Sequence, residues 1–434
     1  MAPGTDAHVA KSAQRPSAED PVTAARSRVG TVAYYALLSR LAIWLLATAS
    51  HVLIQDYDSA LELVLPIDTP GQQLFKSIFG VFLRWDSFYF VDIAERGYAF
   101  EQILVPLDGI LTYRQRLVVA GVLVANATFV AAAVQIYNLT NVLFKRERFA
   151  FMTAMLYVLT PSGIFMSAIY TESAFAALSF TGMLLAARQQ YLLAAITWSV
   201  SCTARANGIL YAGFFLYDLV VKMDLSASLW TKFKALVKAA CLCLITWTGF
   251  VAVQAYGYSL YCVGDTLLDA RPWCGTTVPL IYTFVQDFYW NVGFLRYYEI
   301  KQIPNFLMAA PMITLSTAGI YYYATYDLTR LFSLGRLSVT GDENATRSFL
   351  SGRAFPFIAL WAVLLLSAVT TMHVQIITRA FSCLPPVYWY AAHQFERQGK
   401  AVARGAGWTR TVSTFFVMYG LVGIILFANF FPPA

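Results

Sequence analysis

The sequence predicts an all-α fold, a polytopic transmembrane helical bundle, on three observations. Of its 434 residues, 58% are hydrophobic and 13% charged, and the mean hydropathy is +0.57, a balance that soluble domains do not show. The apolar residues run in blocks rather than recurring on one helical face, as they do where lipid surrounds a helix. The basic residues gather in alternate connections between those blocks, the asymmetry of a multi-pass membrane protein.

Residues 1–30 come first, polar and rich in Ala, Ser and Pro. Such a segment cannot bury a core and is expected as a disordered cytosolic tail. Residues 31–434 read as one transmembrane domain. Its apolar blocks lie at 31–54, 117–144, 150–166, 174–187, 191–203, 209–221, 237–256, 305–325, 354–372, 380–392 and 411–431, about eleven in all. Several fall short of the roughly 20 residues that span a hydrocarbon core. Ala47-Thr48-Ala49 imitates a signal-peptidase site, but the stretch before the first block is too long for a leader, so an uncleaved anchor is expected.

Threaded in order, the blocks put the bases on one side. Four Lys/Arg lie in 1–30, then come Lys145-Arg146-Glu147-Arg148, four lysines among 222–238, four arginines among 326–353 and four bases among 393–410. Connection 55–83 lies opposite, with Asp56, Asp58, Glu62 and Asp68 against Lys76. The N-terminus is therefore expected in the cytosol and the C-terminus across the membrane. The net charge of +7, distributed this way, argues against nucleic acid as a partner.

The six cysteines have no paired metal spacing, and Cys262 and Cys274 share one non-cytosolic connection where a disulfide is open. The sequons at Asn126 and Asn138 fall inside a block and that at Asn344 in a cytosolic connection, so none is expected to carry glycan. With no internal repeat, no inverted pair of interrupted helices and no Gly-rich phosphate loop, transporter and nucleotide-hydrolase readings are weakened.

Four constellations set polar groups in the connections between apolar blocks or at the blocks' edges. The first is Arg84-Trp85-Asp86-Ser87-Phe88-Tyr89-Phe90, running on through Glu95-Arg96-Gly97-Tyr98 to Phe100-Glu101-Gln102. Its alternating charges and aromatics suit the headgroup interface, where a carboxylate can take a proton from a sugar hydroxyl; the plain alternative is an interfacial helix with solvated charges. The second, Leu159-Thr160-Pro161-Ser162-Gly163 with Ile169-Tyr170-Thr171-Glu172-Ser173, is either a cavity wall of broken helix, Pro161 serving structure, or an ordinary hairpin. The third, Thr203-Ala204-Arg205-Ala206-Asn207-Gly208, offers a phosphate clamp or a snorkelling arginine. The fourth is His373-Val374-Gln375-Ile376-Ile377-Thr378-Arg379, an expensive set beside two apolar blocks unless it faces a site. Arg40, inside the first block after Ser39, needs a partner, and Glu172 is a candidate.

In this order, the pieces resemble the PIG-V family, the second mannosyltransferase of glycosylphosphatidylinositol (GPI) anchor synthesis, as a fungal member would. The likeness rests on Ser39-Arg40-Leu41, Asp56-Tyr57-Asp58, Arg84-Trp85-Asp86, Ile93-Ala94-Glu95-Arg96-Gly97-Tyr98 and Phe100-Glu101. Thr160-Pro161-Ser162, Tyr170-Thr171-Glu172-Ser173, Arg205-Ala206-Asn207-Gly208 and His373 through Arg379 complete it. The resemblance implies a GT-C type glycosyltransferase of the endoplasmic reticulum membrane, with 55–116 as a large lumenal catalytic loop. It would take mannose from dolichyl phosphate mannose and add the second, α1,6-linked mannose to the GPI glycolipid. Asp86 would orient or deprotonate the acceptor hydroxyl, with Trp85 and Glu101 beside it as catalytic residues. Arg84, Tyr170, Glu172, Arg205, Asn207, His373, Gln375 and Arg379 would contact substrate; on physical grounds, as pre-placed positive charge, Arg205, Arg379 and His373 are the candidates for countering the leaving phosphate.

That chemistry requires no metal and no cofactor beyond the lipid-linked donor, so none is expected. Membrane lipid and a small accessory membrane subunit are the other expected partners. One departure stands out: Phe100-Glu101-Gln102 runs straight into Ile103-Leu104-Val105-Pro106, where the family has an aromatic, Pro-containing stretch. The alternatives are another dolichyl-phosphate-sugar transferase, although Asp86 is followed by Ser87 rather than a second acid, and a non-catalytic membrane transporter or subunit.

Overall fold

The computed structural model describes residues 21–57, 69–96, 112–263, 271–337, 347–398 and 406–432. Parts of the expected lumenal loop, with Asp58, Glu62, Asp68, Gly97, Tyr98, Phe100, Glu101 and the stretch after Gln102, lie outside the described residues, as does the Asn344 sequon. The described residues contain no strand and twelve helices of ten residues or more. In chain order these are α1 (Pro21–Leu53), α2 (Pro70–Phe79), α3 (Ser87–Arg96), α4 (Tyr113–Phe144), α5 (Glu147–Val158) and α6 (Glu172–Ala187), then α7 (Tyr191–Ala204), α8 (Leu229–Tyr261), α9 (Ile303–Tyr326), α10 (Phe355–Thr370), α11 (Pro385–Gln398) and α12 (Ala406–Ala428).

Among the described residues, six helices are long and apolar enough to cross a membrane: Arg28–Leu53, Tyr113–Phe144, Leu229–Tyr261, Ile300–Tyr326, Gly352–Thr370 and Gly407–Ala428. Three shorter apolar helices, Glu172–Ala187, Tyr191–Ala204 and Ala206–Val221, stand among them. The expected block 150–166 stops as helix at Val158, three residues before Pro161, since a proline disfavours helix in the residue ahead of it and supplies no N–H. The block expected at 380–392 starts instead at Pro385, where proline fits the first turn. Block 209–221 is built of a 3-10 turn, one α turn and a π turn.

Small residues bring the inner helices together, as they do where lipid supplies no hydrophobic drive between helices. A Cβ at Gly182 of α6 would overlap the Trp198 indole of α7, and one at Gly249 of α8 would overlap the Ser199 carbonyl of α7. At the second crossing Ser199 Oγ accepts from the Gly249 N–H at 3.0 Å and bonds Thr248 Oγ1 at 2.8 Å. The core between α4, α6, α7, α10 and α11 buries Phe129, Tyr157, Phe180, Trp198, Phe215, Trp361 and Trp389.

The C-terminal ends of α1 and α12 meet at one pole. Asn429, just after α12, donates to Ser50 Oγ of α1 at 2.7 Å, and its carbonyl accepts from the Tyr57 N–H at 2.9 Å. Arg40, inside α1, is 5% exposed; its Nη1 donates to the Gly163 carbonyl at 2.9 Å and to Ser167 Oγ at 3.0 Å, and its guanidinium lies 3.5 Å over the Phe129 ring. The expectation that Glu172 partners Arg40 is thus corrected. The broken backbone after Pro161 supplies carbonyl and hydroxyl acceptors locally, and Glu172 is held elsewhere. Pro161 starts that break, where Thr160 Oγ1 bonds Ser162 Oγ at 3.2 Å and Tyr388 Oη at 3.1 Å.

Candidate active site

The pole that carries the C-terminal ends of α1, α7, α10 and α12 opens into a cavity of about 1120 Å³, at the large end for a small-molecule site. The sequence's four constellations converge on it: Trp85, Asp86, Tyr170, Glu172, Arg205, Asn207, His373, Gln375 and Arg379 all line the wall. Arg84 does not.

The split between Arg84 and Asp86 starts in the backbone. After the turn Gly80–Phe82, Trp85 takes φ +53°, a left-handed conformation that costs a bulky residue about 1–3 kcal/mol. The reversal turns neighbouring side chains apart. Arg84 goes inward, fully buried, and its guanidinium donates to the Ala428 carbonyl at 3.1 Å, the Leu83 carbonyl at 3.2 Å and the Gly80 carbonyl. It also meets Asp56 Oδ2 at 3.4 Å and lies 4.2 Å over the Phe430 ring. The arginine expected to bind substrate therefore ties the loop to the chain terminus, away from the cavity. Trp85 stays 37% exposed, its ring 6.4 Å from that of Phe430.

Asp86 starts α3, its carbonyl accepting the N–H groups of Tyr89 and Phe90. Its own N–H donates to Tyr170 Oη at 3.2 Å, and that hydroxyl donates to the Arg84 carbonyl at 3.3 Å. Tyr170 is thus a strut for the turn, wedged edge-on among Phe90, Phe165 and Phe427. Burial pushes its phenol well above the ordinary value, so it stays a neutral donor. The Asp86 side chain is left 43% exposed towards the cavity, its closest charged neighbour among the described residues being Arg379 Nη1 at 3.7 Å from Oδ2.

Glu172 is the opposite kind of carboxylate. It opens α6 with its side chain 1% exposed, and Oε1 alone accepts Arg205 Nη1 at 2.9 Å, Arg379 Nε at 2.9 Å and Arg379 Nη2 at 2.8 Å. Burial pushes its carboxyl up, but Arg379 and then Arg205 outweigh that and hold it at about 2. Oε2 has no hydrogen-bond partner among the described residues. Arg205 follows the last turn of α7 in extended backbone, and Asn207 stands in the 3-10 turn after it. Arg379 lies over the rings of Phe165 and Tyr170, at 4.5 and 4.9 Å, which fixes its plane.

The far wall is the segment 271–302, which the sequence reading did not single out. It brings Tyr282, Gln286, Asp287, Trp290 and Arg296 to the cavity. His373 Nε2 contacts the Trp290 carbonyl at 2.6 Å, which makes that nitrogen the protonated one, and its ring stacks on Tyr297 at 4.5 Å. Gln375 accepts from the Tyr297 hydroxyl. His373 and Gln375 thus strap this segment over the cavity while lining it. Asp287 pairs with Arg296. At the segment's start Cys262 and Cys274 form a disulfide. The density of Phe288-Tyr289-Trp290 around one acid was the available signal. Glu101, expected beside Asp86, lies outside the described residues.

Residues 28–434 match the family described as Mannosyltransferase (PIG-V). The GPI alpha-1,6-mannosyltransferase 2 of Mus musculus is 30% identical, over 83% of this chain and 89% of its own. The GPI mannosyltransferase 2 of Yarrowia lipolytica is 33% identical over 88% of this chain and 97% of its own, and that of Schizosaccharomyces pombe 32% over 83% and 75%. No solved structure matches.

Proposed function

The chain belongs to the PIG-V mannosyltransferase family, and we propose that it adds the second, α1,6-linked mannose of the GPI anchor precursor, taken from dolichyl phosphate mannose, at the lumenal face of the endoplasmic reticulum membrane. It is a mannosyltransferase of GPI-anchor biosynthesis in that membrane.

The single observation that carries the roles is an arginine set between two unlike carboxylates. Asp86 faces the cavity half-exposed and loosely held, Glu172 is buried and bonded through one oxygen to two guanidinium groups, and Arg379 touches both. In the reaction the acceptor 6-hydroxyl oxygen attacks the anomeric carbon of the donor mannose, and the bond from that carbon to the phosphate oxygen breaks with inversion. The hydroxyl proton goes to Asp86, and the lipid phosphate leaves with the electron pair and one further negative charge. As Asp86 becomes neutral, Arg379 loses one anionic neighbour in the step that creates another. Arg379 and Arg205, pre-placed by Glu172, meet the charge developing on the phosphate. Trp85, exposed at the rim, offers a face for a sugar ring.

The lumenal side is supported by the disulfide Cys262–Cys274 at this pole, since disulfides persist in oxidising compartments. The clustering of bases at 145–148, 222–238 and 326–353, in connections at the other pole, fits a cytosolic N-terminus and a lumenal C-terminus.

The test is complementation of cells lacking the second GPI mannosyltransferase, with the one-mannose GPI intermediate as readout. The chain clears the intermediate, whereas Asp86→Ala and Asp86→Asn leave it accumulated; general-base loss costs about 10²–10⁴ in rate. Rescue by Asp86→Ala would overturn the role given to that carboxylate. Microsomes supplied with dolichyl phosphate mannose should form product when its synthesis from a sugar nucleotide is blocked.

A further inference from the structure

At the pole opposite the cavity, the chain forms a second concavity of about 440 Å³, lined by Leu143, Phe144, Lys145, Lys222, Gly335, Arg347, Ser351, Gly352 and Arg353. Helix α10 links the two: its N-terminal approach, Ser351–Arg353, lines this basin, while Leu364 and Ser367 near its other end line the cavity. Its 16 residues set the two sites about 24 Å apart along the helix. Nothing in the mannosyl-transfer reading uses this pole.

Four of the nine lining residues are cations and none is a carboxylate. Lys222 is tethered to Asp218 at 3.0 Å, and Arg353 donates one Nη1–H to the Leu143 carbonyl at the end of α4, at 3.1 Å. Lys145 is held at φ +51° as the left-handed cap of α4. Beneath the rim lie polar groups with no hydrogen-bond partner among the described residues. Arg330 is 2% exposed, its Nη1 donates to the Leu350 carbonyl, and its Nε and Nη2 have no acceptor among the described residues. The Arg330 stem passes under Gly352, where a Cβ would sit 3.7 Å from Cδ. The Tyr217 hydroxyl is likewise without a partner among the described residues, and it presses against Gly335 so closely that a Cβ there would overlap it. A concave surface whose Lys145, Arg347 and Arg353 make no ion pair among the described residues, with a guanidinium behind its floor held on the Tyr323 ring at 4.4 Å and bonded through one nitrogen, is a field built for an anion.

We propose that this basin binds a phosphate monoester, with the headgroup of an anionic membrane lipid as the source its position at a helix-bundle pole favours. Basic pockets between transmembrane helices near the bilayer surface take such headgroups, each Lys or Arg strengthening the hold. The proposal does not depend on the reaction assigned to the other pole.

The test uses the full chain in detergent, incubated with dioleoyl phosphatidic acid or dioleoyl phosphatidylcholine and read by native mass spectrometry. Phosphatidic acid should be retained and phosphatidylcholine not. Arg347→Gln/Arg353→Gln and, independently, Lys145→Gln/Lys222→Gln should each weaken retention roughly tenfold. Lys234→Gln/Lys238→Gln removes the same charge from nearby α8 outside the basin, and should leave retention unchanged. Excess inorganic phosphate separates the two sources. Failure to displace the lipid assigns the site to a headgroup, and displacement with a rise in thermal stability from phosphate alone assigns it to free phosphate. Equal retention of both lipids, or equal losses in all three double variants, would overturn the proposal by showing only diffuse attraction to surface charge.

Discussion

Replacing Arg84 by methionine keeps much of the side chain's length and removes every hydrogen bond it makes. The Leu83 and Ala428 carbonyls lose their donor in a fully buried site, the Gly80 carbonyl keeps only the Leu83 N–H at 3.0 Å, and Phe430 loses the cation above its ring. A buried acceptor left unmade costs about 1–3 kcal/mol, so the two carbonyls left without a donor put the loss at a few kcal/mol. Relief from burying a guanidinium offsets part of it. Breaking a buried, bonded charge typically nets about 3–5 kcal/mol, and Asp56 keeps His51 at 2.9 Å as its remaining partner. For a chain of this length that is a fall in melting temperature on the order of 5 °C. The assay is tryptophan-fluorescence melting of purified protein in detergent, run beside the complementation assay at low and high growth temperature. Arg84→Met should melt early and complement only at the lower temperature. An unchanged melt with activity lost at both temperatures would refute the assignment, because the guanidinium would then have to touch substrate.

Three further expectations follow from the same geometry. Arg379→Lys keeps the charge but cannot both fork onto Glu172 and face Asp86, so turnover should drop by about 10²-fold, in the range seen when one charge-stabilising donor is lost. Retained turnover in microsomes would remove Arg379 from phosphate stabilisation. Gly249→Ala drives a methyl into the Ser199 carbonyl and should destabilise by about 1–3 kcal/mol, read as an earlier melt, with Gly213→Ala, which meets nothing within 4 Å, as the neutral comparison. Because the charge facing the leaving phosphate is assigned to Arg205 and Arg379, transfer in washed microsomes should survive chelation of divalent cations by EDTA; loss restored by added metal would show that the arginines are not sufficient.

Much of this site was legible because polar residues at membrane depth are costly and so stand out. Arg205, Arg379 and Glu172 each sit beside an apolar block, Asp86 stands among the alternating charges and aromatics of the connection after the first one, and each lines the cavity. What sequence could not convey was pairing. Glu172 lies 33 residues from Arg205 and 207 from Arg379, whereas Arg40 was an equally plausible partner until the carbonyl of Gly163 was seen beneath it. Nor does sequence reveal a single positive φ: Arg84 and Asp86 read as one polar unit, and only the left-handed turn at Trp85 sends them to opposite sides. Segment 271–302 escaped notice because it is short turns of 3-10, α and π helix with no period to read. The eleven apolar blocks were easier to see than their depth, since a 16-residue helix such as α6 looks the same in sequence whether it spans or is packed inside the bundle.

The two carboxylates around Arg379 show how environment divides labour between like groups. A residue that is to receive a proton must have room for the hydroxyl that supplies it and must not be tied to cations so firmly that protonation breaks a buried network. Glu172 fails on both counts, being 1% exposed with three guanidinium hydrogen bonds on one oxygen. Its charge is the fixed counterweight that lets two arginines stand side by side in a partly dry pocket, where their repulsion would otherwise push them apart. Asp86 meets both conditions, since it is nearly half-exposed and its contact with Arg379 is too long to be a hydrogen bond. The strain accepted at Trp85 and the buried anchorage of Arg84 then have a common purpose. They hold Asp86 at the edge of the Arg379 field without joining it to the Glu172 cluster, the placement that the proton-accepting role proposed for it requires.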